Sequence, residues 1–146
     1  MNILIATLRV PYPATDGGAI AMLGLARHLR SAGHRVTIAA LNTQKHRQDP
    51  NVLIQEGAAD AVLATDIDTS PSATGALGSL LFGKTPYNAQ RFWSPTHATL
   101  LAETVKRERF DIIQLEGVYL APYLPVLRSG HRAPVVLRAH NVEYEI

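Results

Sequence analysis

The chain has 146 residues, is 47% hydrophobic and 18% charged, and carries a formal net charge of +2. Those values fit one globular domain able to bury a core, and they demand no nucleic-acid partner. The absence of cysteine excludes a disulfide frame, a thiolate metal site and a cysteine nucleophile.

Met1-Asn2-Ile3 enters a strand with no leader pattern. No apolar run reaches the ~18 residues of a membrane-spanning helix, so a soluble, cytoplasmic chain is expected. Asn2–Thr7 is apolar enough for a parallel strand covered on both faces. The loop Arg9–Gly18 follows, with Pro11, Pro13 and the pair Gly17-Gly18. Thr15 or Asp16 is placed to cap a helix, along which Met22, Leu25, Ala26 and Leu29 recur at helical spacing. Gly33 suits its C-terminal turn. Arg35–Leu41 predicts strand two, and Asn42–Pro50, with Lys45, His46 and Arg47, a polar basic loop. Val52–Gly57 is ambiguous, Ala61–Thr65 predicts strand three, and Asp66–Thr74 a surface loop.

Ala76–Phe82 predicts a short helix stopped by Gly83. Ser94-Pro95 reads as the cap and first residue of another, continued by His97, Leu100, Leu101, Thr104, Val105 and Glu108. Asp111–Leu115 is strand four. Val118–Arg128 is a helix with Pro122 near its start and Pro125 kinking it, and Pro134–Ala139 is strand five. Strands alternating with helices predict parallel βαβ units. The expected fold is α/β, a Rossmann-like wound parallel sheet of about five strands with helices on both faces, in the order 3-2-1-4-5.

In such a sheet, ligands gather outside the carboxyl ends of the strands. That edge receives Arg9–Gly18, Asn42, Asp66, Glu116-Gly117 and His140-Asn141, while His34 and Asp111 start strands at the other edge. His28, His97 and His131 read as surface residues. Gly17-Gly18 is open between a turn needed for packing and a helix N-terminus that admits a phosphate or sugar. No G-x-G-x-x-G is present, and Asn42 stands where a dinucleotide-binding acid would, which argues against NAD or FAD. His140 reads as a loop histidine or a site residue; with Glu143 it supplies only two ligands, too few for a metal site. Glu116 either caps the next helix or joins the same rim. Lys106, Arg107 and Arg109 read as a solvated helix end. Leu77–Phe82, with Phe92 and Trp93, reads as core, as contact with a second domain, or as a membrane-interface segment beside Lys84 and Arg91.

Several stretches together resemble the N-terminal half of a GT-B glycosyltransferase, nearest the retaining family-4 enzymes. They are Pro11-Tyr12-Pro13, Asp16-Gly17-Gly18-Ala19, Leu25–Leu29, Gly33–Thr37, Phe110–Gly117, Tyr119–Tyr123 and Leu137–Glu145. The stretch His140-Asn141-Val142-Glu143-Tyr144 resembles the subgroup that builds bacterial surface polysaccharides. The resemblance implies a single N-terminal, acceptor-binding domain over 1–146, with the donor-binding C-terminal domain and its paired glutamates absent. It implies transfer of a sugar, with retention, from a nucleotide-sugar donor to a saccharide or lipid-linked acceptor in the intact enzyme, this fragment alone being inactive. It implies His140 as the catalytic residue and Asp16, Gly17, Gly18, Glu116, Asn141 and Glu143 as substrate-binding residues. No metal or other cofactor and no nucleic acid is expected, and any membrane contact would be peripheral, at the inner face. A stand-alone acceptor-binding module and a domain of a GT-B sugar-nucleotide epimerase are the alternatives.

Overall fold

The computed structural model describes residues 1–70, 87–129 and 132–139. The expected helix over Ala76–Phe82, with the readings of Leu77–Phe82, and the residues His131, His140, Asn141 and Glu143 lie outside those described. The strands are β1 (Asn2–Thr7), β2 (Arg35–Thr43), β3 (Ala61–Ile67), β4 (Ile112–Glu116) and β5 (Val135–Arg138). All pairings are parallel, in the order β3-β2-β1-β4-β5. The helices are α1 (Gly17–Ser31), α2 (Val52–Gln55), α3 (Tyr87–Gln90), α4 (Pro95–Arg107) and α5 (Leu124–Arg128). One-turn and two-turn 3₁₀ segments occupy Gln44–His46 and Val118–Tyr123.

Side chains alternate across a strand, and β1 shows the consequence. Leu4 and Ala6 join Leu101, Val105, Leu120 and Tyr123 on one face, under α4, α5 and the longer 3₁₀ segment. Ile3 and Ile5 join Leu23, Ala26 and Leu53 on the other, under α1 and α2. Both faces of the central strands are therefore dry, and an unbroken apolar run is what such a strand requires. At one edge β5 leaves Val136 and Leu137 exposed.

Asp16 starts α1: its Oδ1 accepts the Ala19 N–H at 3.0 Å. The buried stripe of α1 is Ala19, Met22, Leu23 and Ala26, one step round from the expected one, so Leu25 and Leu29 are only half-buried. Gly33, at φ +81°, ends the helix as a Schellman turn, with His34 N–H bonded to Leu29 C=O and Gly33 N–H to Arg30 C=O. Ser94 Oγ caps α4 by accepting the His97 N–H, with Pro95 next.

Four expectations need correction. β2 runs two residues further, through Asn42 and Thr43, and β3 through Asp66 and Ile67, because Asn42 and Asp66 stand opposite each other in register and bond at 2.9 Å. The single helix over Val118–Arg128 is instead a 3₁₀ segment and a short helix, with Pro125 in the first turn of α5, where its missing N–H costs nothing. Val52–Gln55, open from the sequence, is helical. His97 is fully buried rather than at the surface.

Candidate functional site

The carboxyl ends of the strands open into a cleft of about 400 Å³. Its walls come from Leu8 and Arg9 after β1, Gly18 and Met22 of α1, and Thr43, Lys45 and His46 at the end of β2. Thr69, Arg91, Phe92 and Glu116 complete it. A larger hollow, about 610 Å³, lies at the opposite edge, where Lys106, Arg109, Asp111 and Arg132 surround the starts of β4 and β5. Size favours that hollow, but βα loops converge only at the carboxyl edge, where parallel sheets place their chemistry.

Glu116 forms the floor. It is the last residue of β4, its side chain fully buried, and its register partner on β5 is Arg138. Cross-strand partners on one face lie within side-chain reach, and Arg138 Nε meets Glu116 Oε2 at 2.8 Å. Gln114, two residues back and so on the same face, donates from Nε2 to Oε1. A buried carboxylate is tolerated because donors and a countercharge surround it. Gly117 then turns the chain at φ +106°, with Leu8 so close that a Cβ would lie 3.1 Å from it.

On one wall, the Arg9 guanidinium donates to both carboxylate oxygens of Asp16. That bond and the Ala19 N–H hold the Asp16 carboxyl down at about 2. Asp16 thus fixes Arg9 and caps α1 together. Arg9 Nη1 also lies 3.4 Å from His46 Nδ1. Burial, then the charges of Arg9 and Lys45, lower the His46 pKa against the opposing pull of Asp16. The turn carrying Lys45 and His46 is clamped by Asn42, whose amide bonds both the N–H and the C=O of Gln48. On the far wall Arg91 donates from Nε to Thr69 C=O at 2.9 Å, and Phe92 stacks on Tyr119 at 5.6 Å.

Gly17 and Gly18 open α1 beside this cleft. Neither has a positive φ. A Cβ on Gly17 would meet nothing within 4 Å, and one on Gly18 would come no nearer than 3.3 Å, to Asp16 Oδ1. No turn requires the pair, and packing bears only on Gly18, where a Cβ would crowd the capping Asp16 carboxylate. What the glycines leave is a first helical turn without side chains, where the Asp16 carboxylate takes the Gly18 and Ala19 N–H groups and the helix dipole remains.

Of the sequence-derived residues, Gly18 and Glu116 line the cleft, Asp16 reaches it through Arg9, and Gly17 is exposed at the start of α1. The cations Arg9, Lys45 and Arg91 and the imidazole of His46 were not singled out from sequence; their places just beyond strands and helices were the available signal. Among the described residues no three His, Asp or Glu side chains converge as a metal site would need, and no helix is long and apolar enough to cross a membrane.

No curated protein matches the chain. A family model described as Glycosyl transferase 4-like domain matches residues 16–145, a span running from the capping Asp16 through the glycine pair and Glu116 to the stretch that follows β5. The chain belongs to the family-4 glycosyltransferase-like domains.

Proposed function

We propose that this domain is the acceptor-binding half of a retaining, nucleotide-sugar-dependent GT-B glycosyltransferase serving surface polysaccharide synthesis. The observation that carries the reading is the cleft at the carboxyl ends of the strands, which a buried, arginine-paired carboxylate and the glycine-opened first turn of α1 line together. A carboxylate can only accept hydrogen bonds, so Glu116 suits the hydroxyls of a sugar ring. The side-chain-free first turn of α1 at Gly17-Gly18 lets the donor's diphosphate approach the positive end of the helix dipole, where its departing charge is stabilised as the glycosidic bond breaks. His140, Asn141 and Glu143 follow β5 in sequence. In this reading His140 hydrogen-bonds the transferred sugar, and Asn141 and Glu143 line the same cleft. Leaving-group contacts come mainly from a second, donor-binding domain, and the chemistry uses no metal.

The test is sugar transfer by the enzyme carrying both halves. His140→Ala lowers kcat by 10²-fold or more, as loss of a transition-state contact does, while the fold persists. Glu116→Gln, which keeps shape but removes charge and breaks the pair with Arg138, raises KM or lowers kcat in enzyme that urea unfolding shows to be folded. Near-normal turnover in both variants overturns the assignment.

A further inference from the structure

Among the described residues, the buried threonine hydroxyls of Thr7, Thr37 and Thr43 have no hydrogen-bond partner. Elsewhere this chain satisfies such groups: Thr65 Oγ1 meets His97 Nδ1 at 3.0 Å, and Thr104 Oγ1 donates to Leu100 C=O at 2.7 Å. A buried hydroxyl left unpaired destabilises the fold. Of the three, Thr43 alone lines the cleft. It is 4% exposed and ends β2. Alternation along the strand puts it on the face of Ala39 and Leu41, the face on which Phe92 packs.

Phe92 is the aromatic wall of the same cleft. It is half-buried, and its ring stacks on Tyr119 with the planes 15° apart. Its C=O accepts the Tyr123 hydroxyl at 2.6 Å, and that hydroxyl oxygen accepts the Ser94 N–H at 2.7 Å. The segment is therefore fixed before any ligand arrives. Leu8 and Met22 extend the apolar wall. A pyranose ring has C–H bonds on one face, which suit the negative face of an aromatic ring, and hydroxyls round its rim that both donate and accept. An apolar ligand would leave the Thr43 hydroxyl unpaired. An open-chain polyol or an inorganic anion would leave the Phe92 ring uncovered.

Resting on the transferase reading, we propose that Thr43 and Phe92 form the pyranose subsite for the acceptor: the sugar's C–H face packs on Phe92, and a ring hydroxyl hydrogen-bonds to Thr43 Oγ1. One rotation about χ1 exchanges a threonine's hydroxyl and methyl, so the hydroxyl turns to the ligand without backbone movement. Thr43 then sets specificity, because a sugar lacking that hydroxyl leaves the threonine buried and unpaired.

The test is NMR titration of the isotope-labelled chain with the methyl pyranosides of glucose, galactose, mannose and rhamnose, and with sorbitol, which carries hydroxyls without a ring. At least one pyranoside is expected to shift the Thr43 and Phe92 amides and to bind about tenfold tighter than sorbitol. Thr43→Val, similar in shape but without the hydroxyl, weakens that binding about fivefold, and Thr43→Ser restores most of the loss. Phe92→Leu also weakens it about fivefold. Thr37→Val, the same change near the start of β2 and outside the cleft, leaves binding unaltered. Thr43→Val should also unfold at a higher urea midpoint than the parent, which shows at once that it folds and that its hydroxyl was unpaired. A lower midpoint would reveal a partner inside the protein and overturn the proposal. So would equal binding by Thr43→Val, sorbitol binding as tightly as every pyranoside, or no pyranoside binding at all. The transferase reading is decided separately, by sugar transfer in the His140 and Glu116 variants.

Discussion

His97 carries the most quantitative consequence of this fold. It sits in the first turn of α4 with no exposed surface, Nδ1 3.0 Å from Thr65 Oγ1 of β3 and its ring edge-on to Tyr123 at 5.2 Å. Its Nε2 is buried with no hydrogen-bond partner among the described residues. Burial disfavours the imidazolium and lowers the pKa from 6.5 to about 4. The unfolded chain therefore binds a proton that the folded chain refuses between those values, so stability is fully present above pH 6.5, falls as pH drops, and levels off below about 4. At 1.36 kcal/mol per unit, that window is worth about 3 kcal/mol. Urea unfolding followed across the window checks it. His97→Leu, which keeps an apolar side chain beside Tyr123 but cannot titrate, should lose about 3 kcal/mol less than the parent chain over the window, and His97→Gln should behave likewise. Parallel pH profiles for parent and variants would refute the reasoning.

Four further perturbations follow. Arg138→Met leaves Glu116 buried without its countercharge and should cost about 3 kcal/mol in urea unfolding; a loss below about 1 kcal/mol would mean that Gln114 suffices. Gly17→Ala places a Cβ in open space at a helical position and should raise stability by about 0.4–1 kcal/mol, read as a Tm increase. Gly17→Val should leave folding intact yet weaken nucleotide-sugar binding in the two-domain enzyme, whereas unchanged KM would make the glycine pair purely structural. Asp16→Ala removes the cap of α1 and the anchor of Arg9, costing about 1 kcal/mol; because the Asp16 carboxyl is held at about 2, the parent keeps this contribution above the ordinary carboxylate range and loses it as pH falls towards 2.

The sheet was legible because burial on both faces leaves an unbroken apolar run, and the right-handed crossover rule left few strand orders to consider. The ends of β2 and β3 were not legible. Asn42 and Asp66 look like loop residues until their register partnership is known, and that partnership is a tertiary fact. The α1 stripe kept Met22 and Ala26 but took in Ala19 and Leu23 in place of Leu25 and Leu29, a rotation that helical spacing alone does not distinguish. His97 misled for a similar reason, since nothing along α4 reveals that Thr65 and Tyr123 close over it. In the candidate site, Glu116 and Gly18 were found by the strand-end rule alone. Arg9 was legible only as part of the loop at the ligand edge, Lys45 only as part of a basic loop and Arg91 only beside an apolar segment; the fold brings the three round one cleft.

The most direct check of the central claim is to map the backbone amides that shift when a nucleotide-sugar is added to the isotope-labelled chain. Binding at the carboxyl edge of the sheet predicts that the largest changes fall on Arg9 to Ala19, Thr43 to His46 and Glu116-Gly117. Changes centred instead on Lys106, Arg109 and Arg132 at the opposite edge would contradict the account.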